Sequence, residues 1–111
     1  MWGGEMKLEE LEKSNRLFET YQFCLTPSQK EVLGLLLVDG LQTTEIAEIL
    51  GTTKQAISKN VVVAQKKLQN MENNLQFLAF QDKIKQDLLE LLRLSTEPKI
   101  QAKLKKMLKE L

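Results

Sequence analysis

The sequence predicts an all-α protein, and three residues predict a helix-turn-helix unit between Thr43 and Leu68. Ala47 is small enough to let a following helix approach the helix that contains it. Gly51 stands where the chain must turn sharply, and glycine accepts the positive φ that such a turn favours. Ile57 is spaced to bury the next helix against the others. We therefore expect a helix after Gly51 that is held in a position to enter a DNA groove.

Helical periodicity and helix-start signals place the remaining elements along the chain. Thr26 is expected to cap a helix that opens at Pro27, with Gln29 completing a capping box. The expected helices cover residues 5–24, 27–39, 43–50, 54–73 and 75–94, and a last helix follows Pro98.

The boundaries of the helix-turn-helix unit follow from its capping residues. Gln42 is a poor N-cap, so we expect Thr43 or Thr44 to cap the first helix of the unit. Thr53 is expected to cap the second helix. The tandem asparagines at 73–74 predict that this second helix ends or weakens there.

Apolar residues at helical spacing predict the buried face of each core helix. In the fourth helix these residues are Ile57, Val61, Ala64 and Leu68. In the first helix they are Leu8, Leu11, Phe18, Tyr21 and Leu25. We predict a single domain over residues 1–111, with a helix-turn-helix core at 25–68 and a C-terminal helical extension at 75–111.

The composition restricts the chemistry that the chain can perform. It has 111 residues, a formal net charge of +1, one cysteine and no histidine. Without histidine or a glycine-rich phosphate loop, we expect no enzymatic activity, no metal site and no cofactor. Cys24 is expected to be a small buried side chain rather than a reactive thiol, in a protein of the reducing cytoplasm. The longest apolar run, at 35–38, is too short to cross a membrane.

The outward side of the fourth helix carries the candidate DNA contacts. The expected burial of Ile57 defines the outward side of this helix. Seven residues face outward, flank that side or lie at the helix N-terminus: Thr53, Lys54, Gln55, Ser58, Lys59, Val62 and Lys66. Glutamine can pair with adenine, lysine can reach guanine, and valine can touch a thymine methyl group. A lysine and a threonine hydroxyl at a helix N-terminus suit a phosphate.

The charge of this region is small for a tight DNA-binding protein. Residues 43–68 contain four lysines and two glutamates, a net charge of +2. A tight binder makes about six to ten phosphate contacts, and one chain here could supply about three. Val62 and Val63 either pack under the C-terminal helices or form an apolar surface that would suit a protein partner.

The C-terminal segment is basic and carries a narrow apolar seam. Residues 96–111 contain five lysines and two glutamates, a net charge of +3. The lysines are Lys99, Lys103, Lys105, Lys106 and Lys109. They either contact phosphates of DNA or RNA, or form the solvated face of an amphipathic helix. The seam at residues 100, 104, 107 and 111 either joins two copies of the chain or packs within one chain.

The segment from Leu25 to Leu68 resembles region 4 of bacterial sigma factors, through the run LTPSQKEVLGLLLVDGLQTTEIAEILG. The resemblance to the YlxM family is sharper. It rests on NRLFETYQFCLTPSQ at 15–29, on KQAISKNV at 54–61, and on the run through Lys66, Lys67 and Leu68. It covers residues 15–92, and the segment after Ser95 has no counterpart in it.

The resemblance implies two roles for the chain. The first is a helix-turn-helix protein that binds DNA and regulates transcription, and this is the leading hypothesis. The alternative is a protein-interaction module that modulates the GTPase of the signal recognition particle, by contact with the particle's protein or RNA. In the family, the positions of Val62 and Val63 are often basic. A homodimer through the C-terminal helices would present two recognition helices and double the number of basic side chains.

Overall fold

The computed structural model describes residues 7–111, which form six α-helices and no β-strand. The helices are α1 (Leu8–Tyr21), α2 (Pro27–Leu33), α3 (Thr43–Leu50), α4 (Lys54–Leu75), α5 (Phe77–Leu94) and α6 (Pro98–Lys109). A 3-10 turn at Gln22–Cys24 follows α1, and a π-helical turn at Gly34–Val38 continues α2. The predicted all-α fold class is confirmed.

The described residues divide into two compact units, residues 7–74 and residues 75–111. Helices α1 to α4 make up the first unit, and α5 with α6 makes up the second. The first unit has an apolar core to which all four helices contribute. Its buried side chains include Leu17, Phe18, Tyr21, Val32, Leu33, Ile46, Ile57, Val61 and Leu68. Whether the two units behave as one domain stays a prediction.

Helix α1 buries a different set of residues from the predicted one. Phe18 and Tyr21 are buried as expected, but Leu8 is 69% exposed and Ser14 is only 6% exposed. Leu17 is also buried, so the buried residues of α1 are 14, 17, 18 and 21, which recur at helical spacing along its inner face. Leu8 lies in the first turn, beyond this buried stretch. The predicted start of the helix at residue 5 lies outside the described residues.

The predicted capping box opens α2. The Thr26 hydroxyl accepts a 3.2 Å hydrogen bond from the Gln29 N–H, and the Thr26 N–H donates a 3.0 Å bond to the Gln29 side-chain oxygen. The α-helix ends at Leu33, and the π-helical turn then carries the chain to Val38. The predicted second helix at 27–39 is therefore two helical segments in succession.

Helix α3 has the predicted length but a different N-cap. It covers residues 43–50, and its N-cap is Gln42 rather than Thr43 or Thr44. The Gln42 N–H donates a 3.0 Å hydrogen bond to Oε1 of Glu45, which satisfies one of the free donors at the helix start. Thr43 is only 2% exposed, so its side chain belongs to the core.

Helix α4 continues through the asparagines that were predicted to end it. It reaches Leu75, because Asn73 accepts a 2.9 Å hydrogen bond from the side-chain amide of Gln69 one turn earlier. That contact occupies the asparagine side chain, which would otherwise compete for the backbone. The break falls instead at Gln76, which has a φ of 52°. Helix α5 consequently begins at Phe77.

Helices α5 and α6 form a helical hairpin. Leu78 and Leu88 of α5 and Leu104 of α6 are buried. Glu97 caps α6 by accepting two backbone N–H bonds of 3.0 and 3.1 Å. The side-chain amide of Gln101 donates a 2.7 Å bond to a backbone oxygen of the linker. The predicted break at 95–98 is confirmed.

The C-terminal seam is only partly buried within the chain. Leu104 is 7% exposed, whereas Ile100, Met107 and Leu111 are 52%, 41% and 44% exposed. The five lysines of α6 are also exposed. Both predicted uses of these lysines remain open.

Candidate nucleic-acid interface

The turn between α3 and α4 has the geometry that the sequence predicted. Gly51 has a φ of 68°, in the left-handed region that glycine adopts without strain. The Thr52 N–H donates a 2.9 Å hydrogen bond to the Ala47 carbonyl, which closes the end of α3. Thr53 then caps α4, because its hydroxyl accepts a 3.1 Å bond from the Ala56 N–H. This turn fixes the direction in which α4 leaves α3.

The inner face of α4 is anchored by apolar packing. Ile57 is 3% exposed, while Val61, Ala64 and Leu68 are each 0% exposed. All of these residues were predicted to be buried. Complete burial at successive turns holds the helix rigidly, so the opposite face has a defined position.

Polar contacts add a second set of anchors between α4 and its neighbours. The Asn60 amide donates a 3.1 Å bond to the Ser28 hydroxyl, and the Lys67 ammonium group donates a 3.0 Å bond to the side-chain oxygen of Gln29. Asn60 and Lys67 therefore face α2 rather than a nucleic acid. Asn60 belongs to the run KQAISKNV, which carries part of the resemblance to the YlxM family.

The predicted DNA-binding residues lie on the surface of the first unit. Thr53, Lys54, Gln55, Lys59, Val62 and Lys66 are exposed, and Ser58 is half-buried at their flank. Residues 55, 59, 62 and 66 share one face of α4, because they repeat at helical spacing. At a rise of 1.5 Å per residue, this stripe is about 16 Å long, which fits within a major groove.

Two apolar side chains lie within or beside this polar stripe. Val62 is 49% exposed and Val63 is 42% exposed. Whether they pack under the C-terminal helices stays a prediction. The outward face of α4 is thus a mixed surface of lysine, amide and methyl groups.

A groove of about 440 Å³ lies between α1 and α4. Lys13 and Glu10 of α1 line it together with Val62 and Lys66 of α4. Lys13 therefore adds a basic side chain beside the predicted stripe, although Glu10 partly offsets that charge. Sequence reasoning missed Lys13, because the pairing of α1 with α4 is a tertiary contact that spacing along the chain does not report.

Gln65 lies at the same groove and is unusual for a core position. Its side chain is 8% exposed, and its Nε2 has no hydrogen-bond partner among the described residues. A buried amide without a partner lowers stability, typically by about 1–3 kcal/mol. Helical spacing could have found this residue, because it follows Val61 by four positions on the inner side of α4.

The described residues hold no other arrangement that suggests a chemical site. Residues 7–111 contain no cluster of three or more cysteine, aspartate or glutamate side chains that could hold a metal ion. Glu45 and Glu48 of α3 are exposed. Cys24 is half-buried rather than fully buried. In the same range, every helix is too short or too polar to cross a lipid bilayer.

The fold and the turn geometry define an all-α helix-turn-helix protein. The family model that matches residues 8–111 is UPF0122, described as "Putative helix-turn-helix protein, YlxM / p13 like". The chain belongs to this family. The match extends through α6, so the segment after Ser95, which lacked a counterpart in the resemblance, is part of the family sequence.

Curated relatives carry the same family name. A UPF0122 protein of Streptococcus equi subsp. zooepidemicus is 38% identical over 73 residues, which are 63% of this chain and 65% of that protein. One of Bacillus velezensis is 34% identical over 79 residues, 70% of this chain and 72% of that protein. One of Streptococcus gordonii is 34% identical over 70 residues, 63% of this chain and 64% of that protein. The chain thus spans just under two thirds of the length of the two streptococcal relatives.

Proposed function

We propose that this chain is a DNA-binding regulatory protein that acts on transcription and contacts duplex DNA with the outward face of α4. The observation that carries the proposal is the exposed stripe of Gln55, Lys59, Val62 and Lys66 on a helix whose opposite face is fully buried. A recognition helix needs both properties, because base contacts require side chains held at fixed positions. A role on bacterial DNA implies a cytoplasmic protein.

The residues of the stripe divide into two kinds of contact. Gln55 and Lys59 lie near the start of α4, where recognition helices contact base edges, and they would pair with adenine and guanine. Val62 would contact a thymine methyl group. Lys54 and the hydroxyl of Thr53 would bind a phosphate at the N-terminus of α4. Lys66 lies further along the helix and would contact the backbone of the duplex.

The number of basic side chains sets the expected affinity. Three of the four α4 lysines are available for DNA, because Lys67 is bonded to Gln29. Lys13, across the groove from Lys66, could add one phosphate contact. A single chain is therefore expected to bind weakly, with a salt dependence of about three to four phosphates. A dimer through the C-terminal helices would double that number.

Salt-dependent binding to duplex DNA tests the proposal. The paired substitution Lys54→Ala with Lys59→Ala is expected to lower the slope of log affinity against log salt by roughly two. The matched control is Lys30→Ala with Lys85→Ala, which removes two exposed lysines elsewhere and changes the net charge equally. Equal slopes for the two double variants, or no binding by the wild type at low salt, would refute the role of α4.

A second candidate function is a protein contact made by the same face. It is favoured by Val62 and Val63, which are 49% and 42% exposed where a DNA-binding surface would carry charge. The family resemblance points to the signal recognition particle as the partner, and this partner stays a prediction. Val62→Lys with Val63→Lys separates the two functions. It should strengthen DNA binding, whereas it should abolish capture of the GTPase protein of that particle if these valines form the contact.

A further inference from the structure

Helix α5 carries a second apolar face besides the one that packs on α6. Six residues are separated by alternating steps of three and four, which is the spacing of a coiled-coil seam. We call them the outer seam: Phe77, Phe80, Ile84, Asp87, Leu91 and Leu94. Phe77 and Phe80 are 52% and 62% exposed, and Leu91 and Leu94 are 53% and 62% exposed. A soluble helix with such a face requires a partner for it.

We propose that the outer seam pairs with the outer seam of a second copy of this chain, and that the two α5 helices run antiparallel. This places the dimer contact on α5 rather than on the α6 seam that the sequence suggested. The proposal does not rest on DNA binding, although a dimer would present two α4 helices to one duplex.

Asp87 argues for the antiparallel direction. In a parallel pair, each seam residue faces its own copy, so two Asp87 carboxylates would meet at the interface and repel. In an antiparallel pair, Phe77 faces the partner's Leu94 and Phe80 faces the partner's Leu91. Asp87 then faces the partner's Ile84, and its own Lys83 stays beside it at 3.7 Å to offset the charge.

The flanking charges agree with the same direction. Lys83 and Glu90 occupy equivalent flanking positions, one heptad apart. In the antiparallel pair, these flanking positions of the two helices adjoin along one side of the seam, so the Lys83 of each chain meets the partner's Glu90. In a parallel pair, Lys83 would adjoin the partner's Leu88 and Glu90 would adjoin the partner's Ser95, so neither would gain an opposite charge.

The area of the seam predicts a weak but specific dimer. Its exposed aromatic and leucine side chains offer roughly 400 Å² of apolar surface per chain. Two copies would then bury about 800 Å² of apolar surface. The flanking polar side chains add to this area, which brings the total interface area near the lower limit of specific interfaces. We expect a dimer dissociation constant on the order of 10 μM.

Sedimentation of the full chain without DNA tests the seam. The wild type is expected to pass from monomer to dimer between about 1 and 200 μM. Leu91→Glu should weaken the dimer by more than about tenfold, because it places an unpaired carboxylate in the interface. The control is Leu89→Glu on the same helix, where the leucine is 48% exposed but lies off the seam, so dimerisation should persist.

Circular dichroism verifies that the variants remain helical, and Leu94→Glu is a second seam variant if Leu91→Glu does not fold. A wild type that stays monomeric at about 200 μM overturns the proposal, as does a dimer unaffected by both seam variants. Neither outcome depends on DNA, so failure here is separate from failure of the proposed function.

Spin labels measure the direction of the helices. Gln86→Cys and Arg93→Cys occupy equivalent positions one heptad apart, and each is made with Cys24→Ser so that only one thiol is labelled. In the antiparallel dimer, the two position-86 labels lie near the two-fold axis. The position-93 labels are then offset from each other by about 22 Å along the helices, because the helix rises 1.5 Å per residue, so their separation should exceed that of the position-86 labels by roughly 10 Å. Equal distances at the two positions would mean a parallel pair and would overturn the proposal.

Discussion

The Tyr21 hydroxyl donates a 2.6 Å hydrogen bond to Oε1 of Glu72, and this contact joins α1 to the C-terminal part of α4 across 51 residues of sequence. Tyr21 is 2% exposed, so its hydroxyl needs a partner inside the unit. The contact lies at the end of α4 remote from the turn at Gly51. Together, the turn and this hydrogen bond define the position of α4 at both ends.

Removal of the Tyr21 hydroxyl is expected to destabilise the protein. Tyr21→Phe keeps the ring in the core but removes a hydrogen bond to a carboxylate, so it should lower the free energy of unfolding by about 1–2 kcal/mol. Urea denaturation measures the change. A double-mutant cycle with Glu72→Gln isolates the pair, and the interaction is absent if the two changes are additive within about 0.3 kcal/mol.

Two glycine substitutions should have effects of opposite sign. Gly51 has a φ of 68°, so Gly51→Ala should cost about 1 kcal/mol of stability through backbone strain alone. Gly34 has a helical φ of −60°, so Gly34→Ala should add about 0.5–1 kcal/mol. Apart from adjacent residues and the helix's own backbone, an added Cβ has no heavy atom within 4 Å at either position, so steric crowding does not affect the comparison. Thermal and urea unfolding of both variants should show this reversal.

Local signals predicted the helix-turn-helix unit well, because the residues that define it act over a few positions. Ala47, Gly51 and Thr53 each have the predicted place and role, and α3 has the predicted bounds. The predicted end of α4 was wrong, because the observed end depends on a side-chain contact between Gln69 and Asn73. The composition does not reveal this contact. The positive φ at Gln76 carries no sequence signal, since glutamine has no preference for that region.

The candidate site shows the same division between local and tertiary information. The outward stripe of α4 could be read from helical spacing, because burial of Ile57 fixes the rotation of the helix. Helical spacing does not report that Lys67 is bonded and Lys66 is not, since this difference depends on the position of Gln29 in α2. The contribution of Lys13 required the packing of α1 against α4.

Replacement of the buried Gln65 amide by an apolar side chain should not destabilise the fold. Nε2 of Gln65 has no partner among the described residues, so Gln65→Met removes a desolvation cost while retaining the volume. We expect stability to rise by up to about 1 kcal/mol. Gln69→Met is the control, because it makes the same chemical change but breaks the 2.9 Å bond to Asn73. A loss of more than about 1 kcal/mol in Gln65→Met would show that the amide has a partner in solution, such as a bound water.

Adjacent lysines on α4 should differ in their contribution to DNA binding. Lys66 is exposed on the outward face, whereas Lys67 is half-buried and bonded to Gln29 at 3.0 Å. Lys66→Ala should therefore lower the salt slope of DNA binding by about one, and Lys67→Ala should leave the slope nearly unchanged. Both variants remove one positive charge, so each is a control for the other in fluorescence titrations at several salt concentrations. A larger loss of slope in Lys67→Ala would mean that DNA is bound by the side of α4 that faces α2, and would exclude the outward stripe as the contact surface.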